Sequence, residues 1–258
     1  MIGRPLIERL RRRRAGFEEF PHSYAFQPIV DIDACTVFSY EALLRGIHGE
    51  SAGAILGRLD EAQIHALDEH GRQRAVELSV ALGNPARLNL NFMPSAITDS
   101  HAAIDQTFDA AARAGLPSAR IVLEITETQA IRDHRRFTAM VNDIRARGVL
   151  VAIDDFGAGH SGLNLLANFQ PDMVKLDMEL VRDISRSGPR QAIVRAIIQV
   201  CFDLGIDFIA EGVESSDELH WFQDQGVNLF QGYLIARPAF EALPAVHFPN
   251  CHGVAAGY

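Results

Sequence analysis

Residues 149–177 read VLVAIDDFGAGHSGLNLLANFQPDMVKLD. Val149–Asp154 and Met173–Asp177 are short apolar runs that end in acid, and Leu163–Asn168 between them is helical in pattern. Apolar runs of this kind suit strands buried on both faces of a parallel sheet. Parallel neighbours need a crossover, and a helix supplies it. The unit repeats outward. Leu88–Phe92, Ile121–Thr126, Asp207–Glu211 and Leu229–Leu234 are further strand runs. Helical stretches at Ala96–Gly115, Thr128–Gly148, Pro189–Gly205 and Ser215–Gly226 separate them, and Ala52–Gly83 has room for two helices. Gly115 and Gly148 read as helix stops, and Ser-Ser-Asp-Glu from Ser215 as a capping signal. At the front, Ala25–Ile32 and Val37–Leu44 are joined only by Asp33–Thr36. So short a joint allows a hairpin alone, so this pair is antiparallel. Eight strands alternating with helices predict an α/β fold, a modified TIM (β/α)8 barrel with an antiparallel early strand. An open doubly wound sheet is the alternative, but Gly157-Ala158-Gly159 is too short for a dinucleotide fingerprint.

The chain of 258 residues is 48% hydrophobic and 22% charged, an ordinary globular composition. The barrel is assigned to residues 21–258. Residues 1–20, with the run Arg11–Arg14, read as a charged helix or linker. No apolar run approaches the ~20 residues of a membrane span, and no signal peptide is evident. Cys35, Cys201 and Cys251 are odd in number and far apart, which suggests reduced thiols and a cytoplasmic protein. A net charge of -9 disfavours a DNA or RNA duplex as partner. Of the 24 basic residues only Lys175 is lysine, so a compact ammonium stands where every other cation is a planar fork.

In a barrel, chemistry collects at the C-terminal ends of the strands. Here those ends carry Glu41, Asn91, Glu124, Asp154, Asp155, Lys175, Asp177, Glu211 and Gln231, with Glu127 and Glu214 just beyond. Taken singly, each acid has a plain reading as a solvated group or helix cap. One rim would bring them together, and a bare carboxylate pair at ~4 Å repels by roughly 4 kcal/mol at an effective dielectric of 20. Protons or cations must relieve that. Hard oxygen donors with one amide favour Mg²⁺, Mn²⁺ or Ca²⁺ over zinc. Adjacent aspartates suit a bridging carboxylate, and two-metal sites of this kind mostly perform in-line phosphoryl chemistry. Lys175 would then hold an activated water or a phosphate oxygen, or else form a structural ion pair.

The motifs Phe26-Gln27-Pro28-Ile29, Glu41-Ala42-Leu43-Leu44-Arg45, Leu90-Asn91-Phe92 and Leu123-Glu124-Ile125-Thr126-Glu127 follow one another along the chain. So do Ile153-Asp154-Asp155-Phe156-Gly157, Val174-Lys175-Leu176-Asp177, Ile209-Ala210-Glu211-Gly212-Val213-Glu214 and Gln231-Gly232-Tyr233 with Arg237-Pro238. Together, over residues 24–240, they resemble the EAL-domain cyclic-di-GMP phosphodiesterases. The resemblance implies a modified TIM barrel that hydrolyses cyclic di-GMP to linear pGpG with two Mg²⁺ or Mn²⁺ ions, Ca²⁺ being inhibitory. It implies Glu41, Asn91, Glu124 and Asp154 as ligands of one ion, and Asp154, Asp155 and Glu211 as ligands of the other. A water between the ions is the nucleophile, Lys175 contacts it, and Gln231 is a further active-site residue. Gln27, Leu44, Arg45 and Pro238 correspond to substrate contacts, Arg45 directed at phosphate. Glu127 anchors the loop after Asp155, and Glu214 supports the site. A homodimer near that loop and the following helix is also implied. Two departures stand out. Gly159-His160-Ser161-Gly162 replaces Gly-Tyr-Ser-Ser, and Gly46–Ile55 lacks the family's Pro-x-x-Phe-Ile. Two other readings remain open: a non-catalytic module that binds cyclic di-GMP or a protein partner, and a phosphodiesterase for another nucleotide.

Overall fold

The computed structural model describes residues 21–93, 102–127, 134–159 and 162–249. The charged lead-in at 1–20, the loop positions His160 and Ser161, and Cys251 lie outside them. Nine strands form one sheet: β1 His22–Asp31, β2 Thr36–Gly46, β3 Arg87–Asn91, β4 Ile121–Thr126, β5 Leu150–Phe156, β6 Met173–Leu176, β7 Asp207–Ala210, β8 Leu229–Phe230 and β9 Ala239–Phe240. The order is β2-β3-β4-β5-β6-β7-β8-β1-β9, and β1 also pairs with β2, so strands 1 to 8 close on themselves. β2 to β8 run parallel, and β1 is antiparallel to both its barrel neighbours. The hairpin expected from the Asp33–Thr36 joint is thus the β1–β2 pair, and the barrel is the modified TIM form.

Among the described residues eight α-helices accompany these strands: α1 Ala52–Leu56, α2 Glu61–Ala81, α3 Ala102–Ala114, α4 His134–Ala146, α5 Gly162–Phe169, α6 Met178–Val181, α7 Gly188–Leu204 and α8 Ser216–Gln223. Their ends obey local chemistry. Ser215 caps α8 in a capping box with Glu218, and Asp60 caps α2 in one with Gln63, each satisfying two otherwise orphaned N–H groups. Gly205 closes α7 with φ +68, a conformation that suits glycine.

Two cores result. The larger lies between the sheet and the helices and includes Phe26, Leu88, Leu90, Leu123, Val174 and Phe222. The smaller plugs the barrel interior with Ile29, Val122, Ala152, Met173, Ile209 and Leu229. Full burial of a side chain of this size contributes about 1.5–3 kcal/mol.

The cysteine reading needs correction. Cys201 is a buried free thiol, but Cys35, in the β1–β2 turn, is disulfide-bonded. An odd count leaves room for one bonded cysteine beside a free one, so the number of cysteines was no guide. No helix among the described residues is long and apolar enough to cross a membrane.

Candidate active site

The interior plug explains where the site sits. Side chains on a strand alternate between faces with period two. Two residues beyond Val122 is Glu124; beyond Ala152, Asp154; beyond Met173, Lys175; beyond Ile209, Glu211; beyond Leu229, Gln231. On β1, which runs the other way, the step is reversed and Gln27 precedes Ile29. An apolar layer therefore carries a polar layer directly above it, at the C-terminal mouth of the barrel. Gln27, Glu41, Asn91, Asp154, Asp155, Lys175, Glu211, Glu214 and Gln231 line a cleft of ≈ 400 Å³ there, with Leu43, Asp177, Met178, Gly212, Gly232 and Tyr233.

Lys175 is the hub, 1% exposed. Its Nζ lies 2.7 Å from Glu211, 2.8 Å from Glu124, 2.9 Å from Asp154 and 3.3 Å from Glu41. Burial pulls its pKa down, but the four carboxylates win and hold it well above the ordinary lysine value. It is an ammonium ion. The carboxylates divide. Burial pushes Glu124 and Glu211 well above the usual range, aided by their acidic neighbours and opposed by Lys175. Asp154 is raised for the same reason. At Glu41 burial is outweighed by Lys175 and by hydrogen bonds from Gln231 and Asn91, so its pKa is lowered. One ammonium cannot neutralise four carboxylates, three of them buried and Glu211 partly so, and the raised pKa values of Glu124, Asp154 and Glu211 are the response.

Amides fix these carboxylates. Gln231 Nε2 donates to Glu41 at 2.7 Å and to Gln27 Oε1 at 3.3 Å, and Gln27 Nε2 donates to the Ala236 carbonyl at 3.1 Å. Asn91 Nδ2 donates to the other Glu41 oxygen at 3.4 Å. Below them Asn89, fully buried, donates to Glu124 Oε1 at 2.8 Å. Asn89 was not singled out from the sequence. It lies two residues before Asn91 on the same strand face, and that parity was the available signal.

Asp154 and Asp155 are adjacent, and adjacent strand residues ordinarily face opposite ways. Here the β5–β6 register shifts between Ile153 and Phe156, and Asp155 has φ +53. The irregularity turns both carboxylates to the cleft, as bulges beside active sites do. Half-burial, with Asp154 and Asp177 nearby, pushes Asp155 up to about 6. The loop that follows is held by Glu127. Its Oε2 accepts the N–H of Gly157 at 2.8 Å and of Gly159 at 3.2 Å. Gly157 needs its φ of +101, and Leu180 would lie 2.4 Å from any Cβ there.

Leu44, Arg45, Pro238 and Glu214 complete the expected set. Leu43, not Leu44, lines the cleft, since residue 43 shares the Glu41 face of β2; Leu44 packs on the outer core. Arg45 turns back on its own strand, Nη1 donating to the Leu44 carbonyl at 2.7 Å. Pro238 is half-buried beyond β8. Glu214 is bound at the rim by both guanidinium nitrogens of Arg182.

The carboxylates form two groups. Glu41, Glu124 and Asp154 offer oxygens within 4.8 Å of one another, as do Asp154, Asp155 and Glu211. Asp154 belongs to both. Glu124 Oε2 is buried without a hydrogen-bond partner, which is costly unless something polar meets it. The donors are all hard oxygens, the set that Mg²⁺, Mn²⁺ and Ca²⁺ prefer. The residues fit divalent cations.

A barrel with this acidic mouth defines a class, and the family comparison agrees: the EAL domain matches residues 10–238. The chain belongs to the EAL-domain family. It is 41% identical to a standalone EAL protein from Vibrio cholerae O395 in its c-di-GMP-bound form, with a TM-score of 0.85, covering 89% of this chain and 97% of that one. The manganese and cyclic di-GMP complex of Klebsiella pneumoniae BlrP1 is 38% identical with a TM-score of 0.81, covering 87% and 58%. Among curated proteins, the blue light- and temperature-regulated antirepressor BluF of Escherichia coli (strain K12) is 31% identical over 88% of this chain and 57% of its own length. The probable cyclic di-GMP phosphodiesterase PdeN of the same organism is 32% identical over 83% and 43%. The chain thus spans little more than half of BluF and less of PdeN.

Proposed function

We propose that this chain is a cyclic-di-GMP phosphodiesterase, hydrolysing the cyclic dinucleotide to linear pGpG with two divalent cations, Mg²⁺ or Mn²⁺. The observation that carries the reading is the pair of carboxylate groups sharing Asp154 on the floor of one cleft. Glu41, Asn91, Glu124 and Asp154 would hold one ion, and Asp154, Asp155 and Glu211 the other. When bound, such a pair supplies charge neutralisation and lowers the pKa of water. The chain's own groups do the rest. The three donors of the Lys175 ammonium face four carboxylates here; once cations take up some of those oxygens, a donor would turn to a phosphate oxygen or the attacking water. The water oxygen bonds to phosphorus and the P–O3′ bond breaks. The proton that the water gives up is delivered through the cleft to the leaving 3′ oxygen, so the step balances. Gln231, itself held by Gln27, orients Glu41, and Glu127 holds the loop that carries Asp155. Structures of relatives with cyclic di-GMP, one with manganese and one with calcium, support the substrate class and the use of divalent metal. A homodimer about the Glu127-held loop and α5 belongs to the same reading. A cytoplasmic location now rests on the resemblance, since the disulfide at Cys35 removes the cysteine argument.

The similarity to BluF, named an antirepressor, favours a second reading: a module that binds cyclic di-GMP or a protein without hydrolysis. Incubation of the purified chain with cyclic di-GMP and Mg²⁺, Mn²⁺, Ca²⁺ or EDTA separates the two. The enzyme releases pGpG with Mg²⁺ or Mn²⁺, is inhibited by Ca²⁺, and stops with EDTA or Glu41→Ala. Binding without product identifies the receptor.

A further inference from the structure

β3 ends at Asn91, and the two residues after it are both caught by helix α2. The Asp68 carboxylate accepts the backbone N–H of Met93. One turn on, the Arg72 guanidinium lies 4.9 Å from the centre of the Phe92 ring. Asp68 and Arg72 are paired with each other at i, i+4 spacing. Arg72 also donates through Nε to Thr107 Oγ1 on α3 at 3.1 Å. Nearby, Gln73 donates to Gln106 at 2.8 Å and ties the same two helices. On the other side, Phe92 donates its N–H to the Glu124 carbonyl at 2.8 Å. The chain leaving Asn91 is therefore held from α2 and β4 within two residues, with α3 bracing Arg72.

This grip uses costly groups. Arg72 is 3% exposed and the Asp68 side chain 10%, and Arg72 Nη2 has no hydrogen-bond partner. Buried ion pairs often stabilise no more than apolar residues of the same volume. Simple packing does not explain the choice. What an apolar pair cannot do is fix the Met93 amide and the Phe92 ring together. Those two points lie one and two residues after Asn91.

We infer that Asp68 and Arg72 are positioning residues that aim the Asn91 amide at the divalent cation, and so set metal affinity from outside the cleft. The inference rests on the metal-site reading above. Groups that orient a metal ligand are commonly worth 10–100-fold in metal affinity. The test is Mn²⁺ binding without substrate, read by electron paramagnetic resonance and calorimetry, in the wild type, Arg72→Met, Asp68→Asn, Asn91→Ala and the double variant Arg72→Met/Asn91→Ala. Arg72→Met is expected to weaken Mn²⁺ binding about 10-fold, and Asp68→Asn by a smaller factor because an amide oxygen still accepts from Met93. In the Asn91→Ala background, Arg72→Met should change nothing further, because the clamp acts only through that amide. If Arg72→Met does not fold, Arg72→Lys and Asp68→Asn, each alone and with Asn91→Ala, take its place in the same cycle. Unchanged Mn²⁺ affinity in the folded single variants overturns the inference. So does an equal loss with and without Asn91, which would mark general loosening. A wild-type chain that binds no Mn²⁺ overturns the metal reading itself, and the clamp with it; a wild type that binds but does not hydrolyse leaves the clamp standing.

Discussion

Replacing Lys175 with methionine keeps most of the volume and removes the charge that four carboxylates face. Removing one partner of a buried ion pair commonly costs about 3–5 kcal/mol, because the other partner is stranded. Here the stranded partners are Glu211, Glu124, Asp154 and Glu41, all within 3.3 Å of Nζ. They are able to take up protons instead, and Glu124 and Glu211 already lie well above the carboxylate range. Without the ammonium they rise further. An acid whose folded pKa exceeds its unfolded value contributes stability below the unfolded pKa and loses it as pH climbs through the folded one. The deficit of Lys175→Met should thus be small near pH 5 and reach about 3–5 kcal/mol near pH 8. A divalent cation replaces the missing charge, so millimolar Mn²⁺ should recover most of the loss. Urea unfolding at both pH values, with EDTA and with Mn²⁺, measures all four quantities. Equal deficits at pH 5 and pH 8, or no recovery with Mn²⁺, would refute the picture of a proton-sharing acidic cluster balanced by one ammonium.

The pKa of about 6 at Asp155 means that below that pH a cation must displace a proton; calorimetric Mn²⁺ affinity should fall between pH 7 and pH 5, and a flat profile would contradict it. Glu127→Ala strands the N–H groups of Gly157 and Gly159 at a cost of about 1–3 kcal/mol, and limited proteolysis should cut the 156–159 loop faster, whereas Glu127→Gln keeps an acceptor and should be milder. Gly232→Ala sets a Cβ 2.0 Å from the Val213 carbonyl oxygen; backbone cannot yield as a side chain does, so thermal unfolding should show a loss of about 3 kcal/mol.

Much of the fold is legible in the sequence because its signals are local. The Asp33–Thr36 joint forces the hairpin, Ser215 with Glu218 announces the start of α8, and short apolar runs mark the parallel strands. The acidic mouth is legible because each charge follows an apolar run, and a barrel leaves one place for strand ends. What escaped depends on parity or on distance. Leu43 and Asn89 follow from period-two counting along strands already recognised. The Asp155 turn does not, since the shift in register that aims it depends on a neighbouring strand. Asp68 and Arg72 look like an ordinary helical ion pair until the end of β3 is seen beneath them.

The lone lysine has a practical side. With every other side-chain cation an arginine and Lys175 only 1% exposed, amine-directed labels and crosslinkers find no side-chain target on the folded surface. An acylated lysine recovered from native protein would therefore count molecules whose barrel mouth had opened. The slow growth of that adduct, followed by mass spectrometry, becomes a clock for the breathing of a single cluster.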